Sequence, residues 1–158
     1  MAGLLCYMQI AVIGAGYAEA GFLGDAENAG RLIAGCGAVL LCGGLGGVME
    51  AACRGAKSVP GSTTVGIIPD DTGENKYVDI VIKSGMGHAR NVILVKSADA
   101  VIAIGGGYGT LSEIAVALKC GKTVCGYRTW KIEGVRECLS LDEAVVNALD
   151  APEQTEFK

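Results

Sequence analysis

Histidine occurs once in the chain, at His88, and no Cys-x-x-Cys pair is present. A zinc site, which wants paired spacings and imidazole ligands, therefore has no basis, and no metal is expected. The cysteines Cys6, Cys36, Cys42, Cys53, Cys120, Cys125 and Cys138 are odd in number and mostly sit inside apolar runs. They read as buried, reduced thiols of a cytoplasmic protein. No basic stripe or arginine-rich segment occurs, and the net charge is −4, so nucleic acid is not an expected partner. No apolar run approaches membrane-spanning length. The run from Leu4 to Ile13 lacks a positive leader, is broken by Gln9 and enters a glycine turn, so it reads as a first strand and not as a signal peptide. Aromatic residues are only 5%, which leaves small and β-branched side chains to fill the core.

Several motifs are also missing. The dinucleotide fingerprint G-x-G-x-x-G is not met at Gly14-Ala-Gly16 or at Gly105-Gly-Gly107, and strand two ends without the acid that a ribose hydroxyl needs. Gly121-Lys122-Thr123 imitates the end of a P-loop, but Val116 stands at the first glycine position and the triplet precedes a strand. No G-x-S-x-G or paired-carboxylate motif occurs, and no lysine has a pyridoxal phosphate context.

Glycine is abundant, 25 of 158 residues, and clusters where apolar runs end. The stretch Asp99–Glu113, DAVIAIGGGYGTLSE, is the clearest case. Ala100–Ile104 reads as a strand buried on both faces. Gly105, Gly106, Gly107 and Gly109 follow, and Leu111, Ile114, Ala115 and Leu118 then take helical spacing. Such a turn aims backbone N–H groups into a concavity at a helix N-terminus, where the helix dipole favours an anion. It predicts a phosphate site at Gly106, Gly107, Gly109 and Thr110. A plain alternative stands beside it: Thr110-Leu-Ser-Glu113 also has the form of a capping box, Thr110 capping the helix and Glu113 reaching back. Gly43-Gly-Leu-Gly-Gly47 repeats the strand–glycine–helix form, so Gly43, Gly44 and Gly46 are candidates for the same rim, again beside plain turn duty.

In chain order the pattern predicts strands at 8–13, 38–42, 64–68, 78–82, 100–104 and 123–127. Helices are predicted at about 18–34, 48–56, from His88 and Arg90 through Ser97, from Thr110 to near Gly121, and at 141–149 with Ser140 or Asp142 at its cap. The polar segment 70–77 reads as an exposed loop or lid, 127–135 as an irregular connection, and 151–158 as a loose tail. This alternation argues for one domain of three-layer α/β, Rossmann-like architecture. Its mostly parallel sheet would have six or seven strands, with helices on both faces. Every glycine turn then falls at the carboxyl end of a strand, where open α/β sheets bind ligands.

Gly105-Gly-Gly-Tyr-Gly-Thr-Leu-Ser-Glu113 resembles the PGGxGTxxE motif of the LOG superfamily, the Rossmann-like proteins named after the cytokinin-activating "Lonely guy" enzymes. Arg90 lies nine residues before Asp99, the spacing of that family's functional arginine, with His88 two before it. Gly43–Met49 is similar to the family's earlier glycine turn. The family includes phosphoribohydrolases, which cleave the base–ribose bond of nucleoside 5′-monophosphates. It also includes small relatives similar to molybdenum cofactor carriers, and predicted nucleotide-binding proteins. Compact length and the sequence Ala89-Arg-Asn91 look closer to the small relatives.

The resemblance implies a homo-oligomer, dimer or tetramer, and a bound nucleotide or pterin-type phosphorylated ligand, with no cofactor required. It also gives Glu113 a role in stabilising an oxocarbenium-like transition state or activating water, and Arg90 a role in holding the phosphate or polarising the departing base. Three positions depart from the hydrolase pattern: Gly105 replaces proline, Asn91 a lysine, and Ser112 a frequent first acid. The expected function is accordingly binding of a phosphorylated small molecule, with nucleoside 5′-monophosphate hydrolysis as the alternative.

Overall fold

The computed structural model describes residues 7–151. Cys6 and all but the first residue of the expected tail lie outside them. The elements run β1 (Gln9–Gly14), α1 (Ala20–Gly35), β2 (Val39–Cys42), α2 (Val48–Lys57), β3 (Thr64–Ile68) and β4 (Ile80–Lys83). A 3₁₀ turn (Gly87–Ala89) follows, then α3 (Arg90–Ser97), β5 (Ala100–Ile104), α4 (Tyr108–Lys119), β6 (Thr123–Tyr127), β7 (Arg136–Glu137) and α5 (Leu141–Leu149). All seven strands pair in parallel, in the order β4-β3-β2-β1-β5-β6-β7.

The β5 run Ala100–Ile104 is buried throughout, as a central parallel strand must be when helices cover both faces. Its alternate residues serve the two cores. Ile102 and Ile104 join β1 residues Ile10 and Val12 under α1, α2 and α5. Val101 and Ala103 join Ala11 and Ile13 under α3 and α4, against Leu94, Val95, Ile114 and Ala117. Small residues let the helices approach closely: Gly30 of α1 lies against the Ala52 carbonyl of α2, and Gly55 of α2 against the Glu27 carbonyl of α1.

One expectation, the burial of the cysteines, needs correction. Among the described residues the cysteines are free as expected, but Cys36 is exposed and Cys120 half-buried, while Cys42, Cys53, Cys125 and Cys138 are buried. The connection expected over 127–135 is irregular beyond Tyr127, the last residue of β6, and Arg136–Glu137 just after it add the seventh strand beside β6. Ser140 does cap α5, accepting from the Glu143 N–H at 3.1 Å. No helix among the described residues is long and apolar enough to cross a membrane.

Candidate functional site

The strand order changes direction between β1 and β5, and the chain there leaves the two strands toward opposite faces. This opens a crevice beyond their carboxyl ends, the ordinary ligand position in such sheets. Three glycine turns line it. The turn after β1 meets the one after β2, where the Val48 N–H donates to the Ala15 carbonyl at 3.0 Å. Asn75, buried at the end of the polar segment 70–77, holds the second turn in shape. Its Nδ2 donates to the Leu45 carbonyl at 2.9 Å and its backbone N–H to the Gly44 carbonyl at 2.8 Å. The segment is therefore exposed from Asp70 to Glu74 but pinned at Asn75.

The third turn differs from the capping-box expectation. Gly107, extended at φ −105° and ψ −153°, takes the N-cap position, so α4 begins at Tyr108, three residues before a Thr110-capped helix would. Thr110 lies inside the first turn with its Oγ1 buried and unpartnered, and no side chain caps the helix. The cause is Gly106. Its φ of +106° turns the chain early, and its missing Cβ leaves the space that the Thr110 side chain fills. The first-turn N–H groups of Tyr108, Gly109 and Thr110 have no intrahelical acceptor, and Gly106, Gly107 and Gly109 are exposed. The result is an open cradle with a buried hydroxyl at its base.

Arg90 is not the surface arginine that a first helical turn would suggest. It is only 7% exposed, and its guanidinium takes the volume where a Cβ on Gly43 would lie. Gly43 is thus glycine to seat Arg90. The Nε and Nη1 of that guanidinium are buried without a hydrogen-bond partner. Burial lowers the Arg90 pKa from its ordinary value, opposed by the nearby charges of Glu113 and Cys42. Glu113 is also 7% exposed, and burial pushes its pKa up to about 7 against the pull of Arg90. The two act on each other electrostatically, yet the ion pairs among the described residues all lie elsewhere.

Beside them, Asn91 Nδ2 lies 3.5 Å from Ser112 Oγ. Two of the three departures from the hydrolase pattern therefore touch: a neutral pair stands where that pattern carries lysine and acid. Cys42, ending β2 beneath the second turn, lies with its Sγ 3.4 Å from that of Cys53 and accepts from the Gly44 N–H at 3.2 Å. The Cys53 hydrogen bond draws the Cys42 pKa down, while that bond and burial push Cys53 up.

The structure brings Arg90, Glu113, Thr110 and the Gly43 turn together around one crevice, with Gly106, Gly107 and Gly109 at its open end. His88 is exposed on the 3₁₀ turn. Two further residues border the site without having been expected there. Thr129 Oγ1 donates to the Gly105 carbonyl at 2.5 Å, and Trp130 Nε1 donates to the Gly107 carbonyl at 3.3 Å. The Trp130 ring stacks on Tyr108 with centroids 6.1 Å apart. Both act through backbone carbonyls, which leave no sequence pattern; the only available signal was a lone tryptophan just beyond a strand's carboxyl end.

Residues 7–155 match the model of the SLOG cluster4 family. An uncharacterised protein of Archaeoglobus fulgidus is 52% identical over 140 residues, covering 87% of this chain and 92% of the relative. Among solved structures, the molybdenum cofactor binding protein of Rippkaea orientalis superposes with a TM-score of 0.84 at 38% identity, over 90% of this chain and 95% of that one. The molybdenum cofactor carrier protein of Chlamydomonas reinhardtii gives 0.84 at 33% identity, over 92% and 98%.

Proposed function

We propose that this chain, which belongs to the SLOG cluster4 family, binds a phosphorylated small molecule of the pterin or nucleotide class in the crevice beyond β1 and β5. The observation that carries this reading is the set of unpartnered buried donors, Arg90 Nε and Nη1 with Thr110 Oγ1, beside the cradle at the start of α4. A buried donor left without an acceptor costs about 1–3 kcal/mol. A phosphate supplies several acceptors at once and meets the helix dipole favourably. Arginine suits this task because its planar fork matches phosphate oxygens in pairs. The names of the Rippkaea and Chlamydomonas relatives lend support, since molybdenum cofactor is a phosphorylated pterin-type ligand.

The test is calorimetric titration with inorganic phosphate, ribose 5-phosphate and nucleoside 5′-monophosphates, on the chain and on Arg90→Ala. Binding that Arg90→Ala abolishes supports the reading. Absence of binding by every phosphorylated compound, or binding indifferent to Arg90, sinks it.

A second reading, hydrolysis of nucleoside 5′-monophosphates, rests on Glu113. A carboxyl titrating at about 7 is poised for proton transfer at neutral pH. The neutral Asn91–Ser112 pair weighs against it. Base release followed by chromatography, with Glu113→Gln as control, decides the matter. Release lost in the variant makes the protein an enzyme; no release from any nucleotide that binds leaves a binding protein.

A further inference from the structure

A second concavity adjoins the cradle. The connection from β6 to β7 encloses a cavity of about 340 Å³, lined by Gly126, Thr129, Trp130, Lys131, Glu133 and Glu137 among others. That volume is at the lower end of ordinary small-ligand clefts, about 300–1,000 Å³. Its wall is continuous with the cradle, because Thr129 and Trp130 are the residues that donate to the Gly105 and Gly107 carbonyls. It is also preformed. Arg128 is held at φ +50°, with its guanidinium 4.5 Å over the Phe22 ring and 3.6 Å from Asp25 of α1, so the connection is anchored before any ligand arrives.

We infer that this cavity is the ring subsite for a fused heterocycle with an amino-oxo pyrimidine edge, the chemistry shared by guanine and pterin, whose phosphate lies on the α4 cradle. The inference rests on the phosphate reading above and adds which ring the site selects. Trp130 supplies a flat apolar face for a heterocycle, with Tyr108 stacked against the ring as backing. The polar groups then choose among rings. Carboxylates only accept hydrogen bonds, so Glu133 and Glu137 call for a ring edge that donates. Glu137 is engaged by Lys131 Nζ at 3.1 Å, an exposed pair that contributes little by itself, whereas Glu133 has no ion-pair partner among the described residues.

A guanine or pterin edge offers a ring N–H beside an amino group, two parallel donors for one carboxylate, and an oxo group for the Lys131 ammonium. Hypoxanthine keeps the ring N–H and loses the amino group. Adenine offers one donor beside a ring nitrogen acceptor, whose lone pair faces the carboxylate unfavourably. The expected order is therefore guanine or pterin, then hypoxanthine, then adenine.

Trp130 is the chain's single tryptophan, so its fluorescence reports on this cavity and on the edge of the cradle that its indole touches. The experiment titrates the whole chain with GMP, IMP, AMP, a phosphorylated pterin, ribose 5-phosphate and inorganic phosphate. Trp130 emission is followed directly and affinity by calorimetry, with repeats on Trp130→Phe and Glu133→Gln. GMP or the phosphorylated pterin should quench Trp130 more strongly than ribose 5-phosphate does and bind about tenfold or more tighter than AMP. Glu133→Gln should remove that preference without altering affinity for inorganic phosphate. The tighter of GMP and the pterin identifies the source of the ring. Equal affinity for GMP, AMP and ribose 5-phosphate, or a preference that survives Glu133→Gln, overturns the ring subsite while leaving the phosphate reading intact. Failure of every phosphorylated compound to bind overturns both.

Discussion

At the residue scale the site is held at a cost to the free protein. Arg90 is buried with two donors unsatisfied, so its replacement by an apolar side chain of similar length relieves a penalty as well as removing a function. Arg90→Met should raise the stability of the ligand-free chain by about 1–3 kcal/mol in urea denaturation and remove its response to phosphate. A fall in stability would mean that the guanidinium has a structural partner. Glu113 carries a linked expectation. Its pKa rises from the ordinary 4.5 to about 7 on folding, so between those values the native state binds more protons than the unfolded chain. Stability contributed by that excess is full below about pH 4.5 and lost as pH rises through 7, a swing of up to about 3 kcal/mol. Urea midpoints at pH 5 and pH 8 should show it, and Glu113→Gln should flatten the difference. In Arg90→Met the window should move upward, since Arg90 now pulls the Glu113 pKa down. The position of Arg90 nine residues before Asp99 was legible in the sequence. Its burial was not, because the void that receives it belongs to Gly43, forty-seven positions away.

At the element scale, legibility followed how much a segment's own pattern decides its structure. β3, β5, β6 and α5 fall at the expected bounds, each being an apolar run or a capped amphipathic stretch. β4 begins two residues late, at Ile80. Asp79 is occupied by side-chain bonding, its Oδ2 accepting from Lys57 Nζ at 2.9 Å and the Thr64 N–H at 3.0 Å. α4 begins early because Gly107 can serve as cap without a side chain, which no capping pattern announces. The α1–α2 contact is a further case where two sequence-distant glycines decide the geometry. A Cβ on Gly55 would run into the Glu27 carbonyl, and one on Gly30 into the Ala52 carbonyl. Gly55→Val should therefore force the helices apart and destabilise the chain by about 1–3 kcal/mol or more. Because α2 starts directly after the Gly43–Gly47 turn, phosphate affinity should weaken with it. An exposed control on the same helix pair, Gly24→Ala, meets nothing within 4 Å and should be neutral or mildly stabilising. Thermal melts of the two variants side by side separate packing from helix propensity.

At the scale of the whole molecule, the crevice joins segments the chain keeps far apart. Arg90 comes from the α3 face, the Gly43 turn from the α2 face, and Thr110 from the start of α4, so a ligand touching all three ties both helix layers to the middle of the sheet. A ligand that binds only this assembled arrangement must stabilise the whole fold by mass action. At a free concentration one hundred times its Kd the gain is about 2.7 kcal/mol. For a chain of this length that corresponds to a rise in Tm of about 5–10 °C. The rise should be largest for a compound carrying both the phosphate and the amino-oxo ring, smaller for ribose 5-phosphate at the same concentration, and absent in Arg90→Met. Each of these has a distinct failure. A rise that persists in Arg90→Met would place the ligand away from the crevice. A rise equal for GMP and ribose 5-phosphate would confine recognition to the cradle. If native-state hydrogen exchange under GMP slowed amides near β5 and α4 but left the Gly43–Gly47 turn unchanged, the ligand would be reading one turn and not the junction of all three.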